Sequence, residues 1–206
     1  MPAFLKNNGL TLVLVVLFAL SILGQWFTGW RVAIEDAVRH GQHADSIWDY
    51  ARSPQFLSSV FENWESEFLQ MSAYVILTAF LVQKGSAESK DPDEPPRDSE
   101  LALQANKSGA PKILRWGRVW RALYARSLGI ALGALFVISF VIHWTQSAQV
   151  AAEEALSHGQ APSTLLEYLF DPQLWFESFQ NWQSEFLSTA VLVVLSIVTV
   201  RLGPPA

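Results

Sequence analysis

Two short strings hold the side chains best suited to chemistry: Asn63-Trp64-Glu65-Ser66-Glu67-Phe68-Leu69 and Asn181-Trp182-Gln183-Ser184-Glu185-Phe186-Leu187. On a helix, residues three and four apart are neighbours, so Asn63, Ser66 and Glu67 share one face, and so do Asn181, Ser184 and Glu185. A carboxylate flanked by an amide and a hydroxyl can hold a proton or a cation. The same groups can also bond across helices and simply hold them together, with no ligand at all. Both readings stay open from the residues alone.

Other chemistry is poorly supplied. The chain has no cysteine, which excludes disulfides, thiolate metal sites and cysteine nucleophiles. His40 and His158 each follow an acid, Glu35 or Glu153, by five residues, which takes the pair off a common helix face. A histidine followed by glycine, as in His40-Gly41 and His158-Gly159, instead suits a helix C-terminus. His143 stands where the other half of the chain has Gln25, so a bis-histidine haem site lacks a symmetric partner. Phosphate-binding loops, zinc-protease and esterase motifs and dinucleotide fingerprints are missing from the sequence. We therefore expect no enzyme, no cofactor and no metal.

The two strings belong to a longer repeat. Sliding residues 8–85 onto 126–203, an offset of 118, needs no gap and matches 27 of 78 positions. The matches include His-Gly-Gln at 40, Tyr50 and Pro54-Gln55, which apolar composition alone would not align, so we read a duplication.

Asn7 to Trp30 carries no charge over 24 residues, enough to cross a hydrocarbon core of roughly 30 Å. Its counterpart is Ser127 to Ala152. Each helix should continue to the His-Gly signal. Short connectors capped by Asp45-Ser46 or Ser163-Thr164 follow, and return helices start at Ser53-Pro54 and Asp171-Pro172. The return spans are short, with only 16 uncharged residues from Phe68 to Gln83 and 15 from Phe186 to Val200. The Asn-Trp-x-Ser-Glu turns are thereby drawn toward the membrane, where a lipid-facing carboxylate is costly. Glu67 and Glu185 are therefore expected to turn inward.

The chain thus divides into a first two-span repeat at 1–84, a disordered linker at 85–112, a basic amphipathic interfacial helix at 113–126 and a second two-span repeat at 127–206. The linker is rich in Ser, Pro and charged residues and cannot bury enough apolar area to order itself. Arg115, Arg118 and Arg121 alternate with Trp116 and Trp120, a pattern suited to anionic lipid.

Nine of the 14 Lys and Arg lie between Lys84 and Arg126, which places both termini and the linker on the cytoplasmic side. The hairpin tips, holding 13 of the 19 acids, then face outward. Gly129 and Gly133 suit close helix packing.

The combination of Asn8-Gly9-Leu10 before an apolar span, His40-Gly41 after it, and Asn63-Trp64-x-Ser66-Glu67-Phe68-Leu69 leading into the return span resembles an uncharacterised family of bacterial integral membrane proteins, known only as a domain of unknown function. The resemblance covers both repeats and implies a bacterial inner-membrane location with four spans. It carries no activity and no site residue.

The expected fold is all-α: a polytopic membrane protein with four transmembrane helices as two parallel-repeated hairpins. The expected function is structural, an interaction protein presenting acidic, Trp-rich hairpins outside the membrane to a membrane-protein partner or a second copy of itself, without nucleic acid. The alternative is a small cation or proton transporter using Glu67 and Glu185.

Overall fold

The computed structural model describes residues 3–41, 43–81 and 111–202. Every regular element among them is helical: α1 Ala3–Arg39, α2 Ile47–Tyr50, α3 Pro54–Phe80, a 3-10 turn Lys112–Arg115, α4 Arg118–Ala125, α5 Ser127–Ser157, α6 Leu165–Tyr168 and α7 Pro172–Leu202. Three segments, Asn7–Arg39, Ser127–Ser157 and Pro172–Val198, are long and apolar enough to cross a membrane, with mean hydropathies of 2.3, 2.0 and 1.3. Most of the expected linker lies outside the described residues.

Local signals act where the sequence puts them. Gly41 and Gly159 take left-handed φ values of 65° and 69° and end α1 and α5. The ring Nδ1 of His40 lies 2.8 Å from the Asp36 carbonyl, and that of His158 lies 2.8 Å from the Glu154 carbonyl. Both histidines therefore tie off a last helical turn. The Ser46 hydroxyl accepts the Asp49 N–H and starts α2. Thr164 and Glu167 form a reciprocal capping box that starts α6. Trp26 donates its indole N–H to the Ile47 carbonyl at 2.9 Å, and Trp144 does the same to Leu165 at 3.0 Å. Each long helix is thereby pinned to the short one that follows it.

The expected single helix over 113–126 is instead broken. Gly117 has φ 117°, a conformation that favours glycine, and it separates the 3-10 turn from α4. Leu114 is buried beneath the turn against Ile113 and Ala125, while Trp116 and Trp120 meet edge to face.

Packing is uneven. The most extensive interface is α3 against α5, which run antiparallel, as Ser58–Ser147, Glu65–His143 and Ser72–Gly129 contacts show. α7 lies parallel beside α3, bonded through Asn181 to Glu62 and through Gln70 to Thr189. α1 joins mainly through Trp26 and Trp30, which pack with Trp64 of α3 around Tyr50, Phe56 and Val60. Lipid is as apolar as leucine, so small residues and internal hydrogen bonds hold such helices together. The α3–α5 seam fits that rule: Gly129, Ser66, Ser72, Ser139 and Ser147 are all buried. A methyl at Gly129 would sit 3.3 Å from Ile76, so glycine lets these two helices approach closely.

Candidate functional site

The most unusual group in this seam is a buried carboxylate and imidazole. Glu65 and His143 have no exposed side-chain surface, and the Glu65 Oε2 lies 2.9 Å from His143 Nδ1. The other carboxylate oxygen accepts the Ser178 hydroxyl at 2.8 Å and the Trp182 indole N–H at 3.1 Å. Four residues from three helices, α3, α5 and α7, therefore meet at one carboxylate. Burying a charge this completely is tolerated when it is paired and hydrogen-bonded, and here it is both.

Secondary structure sets this convergence. Ser178 and Trp182 are one helical turn apart on α7 and present their donors to the same oxygen. Glu65 comes one position after Trp64, which faces the α1 aromatic cluster, so the helix turns the two side chains toward different neighbours.

His143 has a second nitrogen. Its Nε2 lies 3.5 Å from Glu177 Oε2, at the far limit of hydrogen-bond reach, and has no hydrogen-bond partner among the described residues. Glu177 is itself partly exposed, with 28% of its side-chain surface open. It lines a cavity of about 450 Å³ that also includes Glu62, Glu154, Asp171, Ser147 and Tyr168. Among the described residues the cavity lining carries four carboxylates and no Lys or Arg. Burial pushes the Tyr168 hydroxyl up to about 12, with nearby carboxylates adding to the shift, so it stays protonated there.

The arrangement is a chain of proton-binding groups: cavity, Glu177, His143, Glu65. Imidazole can take a proton on one nitrogen and release one from the other, which lets it pass charge between two carboxylates without moving. His143 lies 2.9 Å from Glu65 and 3.5 Å from Glu177, so the two carboxylates bracket its ring. No cluster of three or more metal-ligating side chains occurs among the described residues.

The expected site residues fall differently. Ser66 is buried and bonds back to the Asn63 carbonyl. Asn63 is exposed and donates to the Ser59 carbonyl. Glu67 is exposed, against the expected inward turn, and Glu185 is only half-buried. Asn181 is half-buried and bonds Glu62, whereas Ser184 is exposed and bonds the Asn181 carbonyl. The face pointing into the α3–α5 seam is set by Glu65 and Ser66. Glu67 lies about 200° round the helix from Glu65.

Sequence reasoning passed over Glu65, His143, Glu177 and Ser178 because it weighted residues shared by the two halves. A signal was present in the differences. At an offset of 118, Glu65 matches Gln183, His143 matches Gln25 and Glu177 matches Ser59, so three neutral positions have charged or titratable counterparts.

Among the described residues, helices are the only regular elements, three of them are apolar and long enough to cross a membrane, and a carboxylate–imidazole pair is sealed between α3 and α5. The chain belongs to the family described as Domain of unknown function (DUF6766), whose model matches residues 1–205. No curated protein and no solved structure matches it.

Proposed function

We propose that this chain is a four-span bacterial inner-membrane protein that takes up protons from the outer face and passes them into its interior through Glu177, His143 and Glu65. The carrying observation is the fully buried Glu65–His143 pair, whose free nitrogen faces a carboxylate of an acidic cavity. Ionisable groups inside a membrane bundle are costly and serve in proton relays in other systems. In this reading α3 is the remaining span, the termini and the linker are cytoplasmic, and the cavity opens outward. Its carboxylates raise the local concentration of protons and other cations. Below the pair, buried Ser66, Ser72 and Ser139 continue a polar seam down α3 and α5. The exposed Trp116 and Trp120, with Arg115 and Arg118, hold α4 and its preceding turn on anionic lipid.

The structural reading keeps one supporting feature: Trp48, Leu166 and Phe170 are 64%, 66% and 77% exposed at the end of the bundle carrying α2 and α6. Such a surface suits a partner and is compatible with proton uptake.

The test is proton flux into proteoliposomes carrying a pH-sensitive dye, driven by a potassium diffusion potential. The Glu65→Gln/His143→Gln variant keeps hydrogen-bonding side chains of similar size at both positions, and its fold is checked by circular dichroism before reconstitution. We expect it to lose at least ten-fold in flux while Glu67→Gln/Glu185→Gln retains most of it. Absence of flux in the wild type, or the reverse ranking of the two variants, overturns the proposal.

A further inference from the structure

The α3–α5 interface has a second version in the sequence that the structure leaves unpaired. At an offset of 118, α3 corresponds to α7 and α5 corresponds to α1. α1 and α7 nevertheless share no comparable interface, and none of the most apolar window of either helix is buried. We propose that α7 of one copy packs antiparallel on α1 of a second copy, as α3 packs on α5, so that copies join head to tail into a ring in the membrane.

Three observations support this pairing. First, the partners at the matching positions remain complementary. The bonded pair Glu65 and His143 becomes Gln183 and Gln25, two amides able to bond each other. Gln25 donates to Ser59 at 3.2 Å, within its own hairpin, which leaves its carbonyl oxygen for a partner. His143 divides its two nitrogens in the same way, one across to Glu65 and one toward Glu177 within its own hairpin. Second, the matching positions carry no charge on either side. Ser72 and Ile76 face Gly133 and Gly129 in the built interface, and their counterparts are Ala190 and Val194 facing Val15 and Thr11. Val15 and Thr11 add bulk where α5 has glycine, so the proposed contact has a wider helix spacing than the α3–α5 seam.

Third, lipid is a poor cover for this face. Gln183 and Ser184 on α7 are exposed, and so is Glu67 on the neighbouring α3. Hydrocarbon cannot satisfy a primary amide, whereas the Gln25 carbonyl of a second copy can. Direction also agrees. α5 and α1 run the same way through the repeat, so an antiparallel α7–α1 contact leaves every copy inserted with the same orientation. The contact is heterologous, because α7 meets α1 and never itself, and such interfaces close into rings when the rotation allows. The inference rests on the membrane reading and is independent of proton uptake.

The absence of cysteine makes the test clean. Gly133 would place a Cβ 3.5 Å from the Ser72 hydroxyl, so the matching Val15 and Ala190 are the pair to join. Val15→Cys and Ala190→Cys chains carrying different affinity tags are reconstituted together in lipid vesicles and oxidised. We expect a disulfide-linked species at twice the chain mass carrying both tags, and at least a ten-fold weaker product when Val16→Cys replaces Val15→Cys. A chain carrying both cysteines should give a ladder of linked copies, and native mass spectrometry of the wild type in nanodiscs should show more than one copy. Linkage within a single chain, absence of the mixed product, or a wild type that is only monomeric overturns the proposal.

Discussion

The first hairpin, α1 to α3, and the second, α5 to α7, make the same internal contact with different chemistry. In the first, Gln25 donates to Ser59 at 3.2 Å. In the second, His143 and Glu177 occupy the corresponding positions and approach to 3.5 Å. The backbone supplies the same position twice, and only one copy is titratable. Chemistry here is laid on a scaffold that also works in neutral form, which is why a neutral version of the site is a fair control.

The strongest way to break this comparison is to delete rather than neutralise. Glu65→Ala leaves His143, Ser178 and Trp182 facing a void, and removing one member of a buried pair costs about 3–5 kcal/mol. Gln183→Ala, at the matching but exposed position, should stay within about 0.5 kcal/mol in the isolated chain. Denaturant unfolding in detergent micelles measures both. Equal effects would mean that Glu65 is not the charge buried at the junction of three helices.

A smaller contrast concerns the space beside the two buried tyrosines. A methyl at Gly29 would collide with the Tyr50 hydroxyl, so a side chain there requires the Tyr50 ring to shift. Its counterpart is Ser147, which bonds Ser58 at 2.6 Å and lines the cavity together with Tyr168. The second hairpin has room where the first is filled. Gly29→Ala should therefore overpack the first hairpin and cost about 1–3 kcal/mol. Ser147→Ala should cost about 0.5–1.5 kcal/mol through the lost hydrogen bond. The same unfolding assay ranks them, and a reversed order would mean that Tyr50 has freedom to move away.

Much of this architecture was legible because it depends on local rules. His-Gly endings, Ser-Pro and Asp-Pro starts and the Ser46 and Thr164 caps each act within a few residues, and the helices begin and end where these signals lie. Helix rotation was not legible, because it depends on which helices meet. Asn63, Ser66 and Glu67 do share a stripe, yet the seam is centred on Ser66 and Glu65, because α5 packs on that side of α3. The broken basic helix was missed for a local reason: the periodic Arg and Trp pattern runs straight through Gly117, and only its positive φ reveals the break. The site itself required knowing that α5 brings residue 143 opposite residue 65. No spacing within a single helix encodes such a meeting.

The smallest contrast lies in the two short helices. Ser46 and Thr164 cap α2 and α6, and each hydroxyl also donates to a carboxylate three residues on, Asp49 or Glu167, but only Glu167 Oε2 accepts the cap residue's backbone N–H as well, at 2.7 Å. Those backbone and side-chain hydrogen bonds hold the Glu167 carboxyl below its ordinary value. The sign follows from the lowered folded value. The contribution is complete above the unfolded carboxylate range of about 4.3 and is lost as pH falls through the lower, folded value. Hydrogen exchange over Thr164–Tyr168 should therefore accelerate relative to Ser46–Tyr50 as the medium is acidified, after correction for intrinsic rates. Glu167→Gln keeps a capping-box partner but cannot titrate, so it should remove this acid dependence. Thr164→Ala should cost about 1 kcal/mol at neutral pH and abolish the difference between the two helices. If Glu167→Gln kept the acid dependence, another group would be titrating, and the contrast between the two caps would have to be sought outside the capping box.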